Sequence, residues 1–422
     1  MEKADIRNYI ILPIFVGLIL YGVIEVYDWH RNNQETKNKI DYHLDQANNS
    51  LNKGQFEEAI NDYNKILEIS HNKFPYEYAV AQSNIGIAYG KLAKVRDKEQ
   101  NAGNAITASQ KALEFFTVEK YPFEYATTQT SLGYAYGALA EVRDQDTNAE
   151  NAINASQKAL EIFSIEKCPY NYAATQVNLG IAYGLLADVK DKEKNVESSI
   201  NAFQKALEVY TIDKYPNDYA ATQNDLGNAY VILADVREKD DNAEYAINAF
   251  QKALEIYTVE KYPIGYAHTL NNLGNAYVIL AEVKDTETNA QNAIDAFQKA
   301  LEVYTIDKYP IDYAITQSNL GGAYVRLAES GDKETNAQNA IDAFQKALEI
   351  YTVEKYPLYY AGTQNNLGSA YYLLAKVKDT ETNAQNAIDA YRKAQEVYTI
   401  DKYPVEYEYI QGNLKKVKEI LL

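Results

Sequence analysis

Apolar positions along the chain fall into two kinds of pattern. The first is an uninterrupted run, Tyr9 to Ile24, which reads YIILPIFVGLILYGVI and holds no charge. The second begins at Pro75, where apolar residues recur three, four and seven apart, the spacing of amphipathic helices, in blocks that restart every 47 residues. Proline marks each restart, at 75, 122, 169, 216, 263, 310, 357 and 404, and the only other proline is Pro13. Seven complete units fill the 329 residues from Pro75 to Tyr403. Self-similarity of this kind marks a repeat architecture, in which a unit buries its apolar stripe only against its neighbours.

Each unit predicts two helices. In the unit that starts at Pro263, proline occupies the first turn, where its missing N–H costs nothing. Tyr266, Ala267, Leu273, Ala276, Tyr277, Leu280 and Ala281 form one stripe. The segment Asp285 to Asn289 reads as a polar break, and a second helix is expected from about Asn289, a good N-cap residue. Its stripe is Ala293, Ile294, Phe297, Ala300, Leu301 and Tyr304, and small residues at Gly274 and Ala293 allow close approach of the pair.

The run N-L-G-x-A-Y followed by A-I-x-A-F-x-K-A-L-E resembles the tetratricopeptide repeat, with Leu273, Gly274 and Tyr277 on the first helix and Ala293, Phe297 and Ala300 on the second. The unit departs from that family in length, 47 residues against about 34. The excess falls between Tyr277 and Ala293 and between Ala300 and Gln317, so both helices are expected to be longer, joined by polar turns. The family's early Trp is replaced by Gln, as at Gln223 and Gln317, or by Leu270. A unit of ordinary length precedes the array, with the Gly54-x-Phe56 turn and then Ala59, Ile60, Tyr63 and Leu67, and Pro404 to Leu422 supplies one further helix as a cap. The expected architecture is an all-α superhelical solenoid of sixteen or seventeen helices behind an N-terminal transmembrane helix. Its parts are a flank at 1–8, an anchor at 9–27, a linker at 28–35, an ordinary repeat at 36–74, seven long repeats at 75–403 and a capping helix at 404–422.

Residues shared by all units are explained by packing, so function is sought where the units differ. The resemblance implies that first helices line a binding groove on the face flanking the Leu-Gly pair. There the array offers Ile87, Tyr134 and Ile181 early and Asn228 and Asn275 later, with Asn224, Asn271 and Asn365 two residues before Leu. Directly before Leu or Ile stand Asn84, Asn178, Asn272, Asn319 and Asn366. A carboxamide both donates and accepts, which suits an extended peptide backbone, and similar Asn residues in peptide-binding members of the family grip the ligand's main chain. The alternative is that these amides bond the neighbouring helix. His268 and Arg326 are further groove candidates. An acidic-tail receptor is disfavoured, because only Lys91 and Arg326 supply cations on that face.

Composition narrows the classes. With 59 acidic against 41 basic side chains and net charge −18, nucleic acid is an unsuited partner. One Cys excludes a disulfide framework. The four His are dispersed, no H-E-x-x-H, G-x-x-x-x-G-K-[ST] or G-x-S-x-G pattern occurs, and Cys168 replaces a Tyr before Pro. No catalytic residue, metal or cofactor is expected. The apolar run, extended by its flanks, approaches the roughly 20 residues that a bilayer requires, carries Tyr9, Tyr27 and Trp29 for the interfaces, and has no small-x-small cleavage site. A single-pass anchor follows as the expectation, with Lys3 and Arg7 favouring an inside N-terminus and an extracytoplasmic array. The functional expectation is a membrane-anchored, non-catalytic scaffold that binds a protein or peptide partner in the groove. The alternatives are an assembly scaffold acting through its ends or convex face and, less favoured, an enzyme with a site built across repeats.

Overall fold

The computed structural model describes residues 5–70 and 73–422, with side chains from Trp29 onward. Among the described residues every regular element is an α-helix, seventeen in all. The chain divides into two compact units, Met1–Val189 and Lys190–Leu422. The first holds α1 (Asp5–Asn52), α2 (Phe56–Ser70), α3 (Pro75–Ala93), α4 (Lys98–Leu113), α5 (Pro122–Ala140), α6 (Gln145–Leu160) and α7 (Pro169–Ala187). The second holds α8 (Lys192–Leu207), α9 (Pro216–Ala234), α10 (Lys239–Leu254), α11 (Pro263–Ala281), α12 (Thr286–Leu301), α13 (Pro310–Ser330), α14 (Lys333–Leu348), α15 (Pro357–Ala375), α16 (Thr380–Gln395) and α17 (Pro404–Glu419). Within each unit consecutive helices pack in sequence, so the apolar stripe of an interior helix is covered by the helix before and the helix after. The segment expected as an anchor, 9–27, and its flank lie outside the residues whose side chains are described. Residues 28–35, read as a linker, run inside α1. Among the described residues no helix is long and apolar enough to cross a membrane.

Every repeat proline opens a first helix, as the pattern requires. The second helix differs from expectation: α12 starts at Thr286, three residues before Asn289. Asn289 is buried, and its Nδ2 donates to the Lys284 carbonyl at 2.7 Å, closing the tight connection from inside rather than capping the helix. Asn101, Asn148, Asn195, Asn242 and Asn383 repeat that bond at 2.7–2.8 Å. Closing so short a turn forces the residue before the helix into the left-handed region, φ 42–46°, at Asp97, Asp144, Asp191, Glu238, Asp285 and Asp379. Where Ser330-Gly331 replaces Val-Lys, α13 runs two residues longer, and Asp332 takes extended backbone and accepts from the Thr335 N–H at 3.1 Å. Asp tolerates the left-handed region better than Glu, whose longer side chain gains no local hydrogen bond there. Glu238→Gly is therefore expected to stabilise the second unit by about 0.5–1 kcal/mol, read as a rise in its unfolding midpoint.

The other connection is not a polar turn. Glu302–Tyr309 holds Val303, the buried Tyr304, Ile306 and Tyr309, with the Tyr304 and Tyr309 rings edge-to-face at 5.8 Å. Lys308 Nζ lies 5.2 Å from the Tyr309 centroid, a contact repeated by Lys214, Lys261 and Lys355. Part of the extra length of the repeat therefore resides in this aromatic connection and not in helix. Tyrosine tips also join helices: Gln204, Gln298 and Gln345 donate to Tyr230, Tyr324 and Tyr371 hydroxyls at 3.1–3.2 Å. In the last full repeat Tyr391 stands where the four preceding repeats place Phe. Its hydroxyl meets Ser369 Oγ at 3.1 Å, and burial pushes its pKa up to about 12.

Candidate functional site

First helices stack on one another through residues near the Leu-Gly pair, and the chemistry of that contact differs between the two units. In the first unit short hydroxyls meet directly: Ser83 Oγ and Thr128 Oγ1 at 2.9 Å, Thr130 and Thr175 at 2.8 Å. In the second unit amides span the contact instead, Asn272 Nδ2 donating to Asn224 Oδ1 and Asn319 Nδ2 to Asn271 Oδ1, each at 3.3 Å. Asn178 makes the same reach to the Thr130 carbonyl at 3.3 Å. These amides thus bond the neighbouring first helix, the alternative that sequence left open. An Asn272→Ala change removes the donor to a buried acceptor, so it perturbs stacking as well as any ligand. Each amide keeps a second N–H and its own carbonyl, and Asn178, Asn272 and Asn319 are half-buried.

The side chains that come together around a concavity lie in the first unit. Ile87 and Lys91 of α3, Lys94 just beyond it, Thr127, Thr130, Ser131 and Tyr134 of α5, and Tyr170, Asn171, Ala174 and Asn178 of α7 line a hollow of about 390 Å³. A second hollow of about 300 Å³ shares Lys94, Tyr134 and Asn178 and adds Gly137, Ala138 and Ile181. Tyr134 lines both. It rests on Gly90, where a Cβ would lie 3.1 Å from the ring, and Lys94 Nζ sits 5.0 Å from its centroid. Of the residues named from sequence, Ile87, Tyr134, Asn178 and Ile181 are brought to this one surface. Thr127 shares the repeat position of His268, whereas Lys94 and Tyr170 were missed there, because their repeat positions lie away from the Leu-Gly pair and only α3, α5 and α7 packed side by side bring them in.

The remaining candidates sit elsewhere. Asn84 lies beside the Tyr63 hydroxyl. Asn224 and Asn271 are buried, Asn228 and Asn275 half-buried, and His268 and Asn366 exposed. Asn365 Nδ2 donates to Asn366 Oδ1 at 3.4 Å. The Arg326 guanidinium is ion-paired with Glu282 at 2.6 Å and Glu329 at 3.2 Å. On the second-helix side, hollows near 400 Å³ recur three repeats apart, one among Gln204, Gln223 and Tyr230 and one among Gln345, Gln364 and Tyr371. Cys168 packs beside Phe163 and Tyr172, a packing position. Among the described residues no group of three or more His, Cys, Asp or Glu is placed to hold a metal ion.

The tetratricopeptide-repeat profile matches residues 40–72, 181–211 and 368–399. No match was found among curated proteins. Among solved structures the chain is similar to the apo form of RapI, at 17% identity over 90% of this chain and 98% of that one, with a TM-score of 0.50. It is also similar to the apo form of the quorum sensor NprR from B. thuringiensis, at 14% identity over 92% of this chain and 99% of that one, with a TM-score of 0.49.

Proposed function

For a chain that belongs to the tetratricopeptide-repeat family, we propose the role of a non-catalytic interaction scaffold that holds a segment of a partner protein against its first helices. The observation that carries this reading is the pair of adjoining hollows in the first unit, walled by Ile87, Tyr134, Ala174 and Ile181 and edged by half-buried amide and hydroxyl groups. Concave, largely apolar sites with a few polar groups are what bind ligands, and a rigid aromatic at the centre is the usual anchor. Asn178, Asn272 and Asn319 retain capacity for a partner's main chain after their bonds to the next helix. Residues 9–27 would tether the scaffold to a bilayer as a single-pass anchor with the repeats on the extracytoplasmic side, a reading supported by the uncharged run and the basic residues before it.

Tyr134→Ala is expected to weaken partner capture about tenfold, because it removes the ring common to both hollows. Photocrosslinkers placed at Thr127 and Tyr170 in the native membrane identify the captured segment, and competition gives its affinity. Capture that is undiminished in the Tyr134 variant, with crosslinks absent from both positions, overturns the groove and moves the binding surface elsewhere.

A further inference from the structure

The hollow between α3, α5 and α7 is lined by two lysines, Lys91 and Lys94, and by no carboxylate. In a chain of net charge −18 that is a local inversion of sign. Several other cations of the first unit are ion-paired: Arg96 to Glu57, Lys98 to Glu141, and Arg143 to Glu99 and Asp144. Lys91 is exposed and has no carboxylate within ion-pair distance among the described residues, and the only close partner of Lys94 there is the Tyr134 ring. A cation over an aromatic face is held by attraction to the ring, and a cleft lined by one sign of charge concentrates its field on whatever enters.

An occupant that satisfies both properties of the hollow needs an apolar side chain for the Ile87, Tyr134 and Ala174 walls and an anion for the lysine rim. We propose that the hollow binds a peptide segment in which an Asp or Glu side chain adjoins an apolar or aromatic residue. This rests on the first-helix face being the binding surface and specifies what it selects. Sequence alone offers this face two cations, Lys91 and Arg326. In the structure Arg326 is ion-paired with Glu282, and Lys94 lines the same hollow as Lys91. The two ammonium groups act as point charges on flexible stems, so they suit a carboxylate at the rim without demanding a fixed geometry.

The test is selection of short random peptides on the full chain in detergent, with Kd then read by fluorescence anisotropy for the wild type, Tyr134→Ala and the Lys91→Gln/Lys94→Gln pair, all checked for intact helicity. The expected result is peptides with Asp or Glu next to Leu, Phe or Tyr, which lose affinity in Tyr134→Ala. In the lysine pair they lose about fivefold at low salt and much of their salt dependence. Peptides that need Tyr134 but lack acidic residues, or ignore the lysine pair, overturn this proposal and leave the groove intact. Peptides that are indifferent to Tyr134 overturn the groove itself, and this proposal with it.

Discussion

Phe297→Ala is expected to destabilise the second unit by about 4 kcal/mol. The ring is fully buried in a cluster with Ala281, Ala290, Ala293, Ile294 and Leu320. Its far side rests on Gly274, where a Cβ would lie 2.5–2.8 Å from three ring atoms. Because glycine has no side chain to move, the space left by the ring closes only if α11 and α12 shift as bodies, and each is held by another neighbour. The loss is therefore both transfer energy and cavity. Denaturant unfolding of the full chain gives the magnitude, and amide hydrogen exchange should place the loss in α11–α13, since repeat stability is a sum of local and nearest-neighbour terms. A loss under about 1 kcal/mol would mean that the helices do close over the gap.

Ser109→Phe is expected to cost about 3 kcal/mol, although Phe is the native residue at the same repeat position in α8, α10, α12 and α14. In α4 the position faces Gly86, whose Cβ would lie 2.4 Å from Ser109 Oγ and 3.3 Å from the Ala105 carbonyl. In the Phe repeats, the nearest atoms to the matching glycine are all ring atoms. A ring at 109 would have to enter a face that is packed on the Ser109 hydroxyl and on backbone, so overpacking is expected. Ser109→Ala should act in the opposite direction, between neutral and about 1 kcal/mol stabilising, because the Ser109 hydroxyl is buried with no hydrogen-bond partner among the described residues. Ser156 with Gly133 repeats the arrangement and should respond alike. Equal tolerance of Phe at 109 and at 297 in thermal unfolding would show the two pairs to be interchangeable.

Much of this organisation was legible in one chain because its determinants are local. Proline at a first turn, a stripe at helical spacing and a 47-residue period fix where first helices begin and which faces they bury, and α3, α5, α7, α9, α11, α13, α15 and α17 begin accordingly. The second-helix start was misplaced for an equally local reason. Asn289 has the chemistry of a cap, but burial turns its amide inward to the Lys284 carbonyl, and left-handed Asp285 precedes the helix instead. The apolar run at 9–27 stays a reading of sequence alone.

What sequence by itself determined was therefore the repeat and its two helices, consequences of periodicity and backbone preference within a few turns. What only the tertiary structure decided was how identical-looking positions are used. Asn272 and Asn319 reach across to the preceding first helix, and Arg326 is taken by Glu282 and Glu329. Ile87, Lys91 and Lys94 meet Tyr134 and Asn178 around one hollow, although one to two repeats of chain separate them. Those outcomes depend on the distance between stacked helices, which the sum of side-chain volumes at each interface sets and which no single repeat contains.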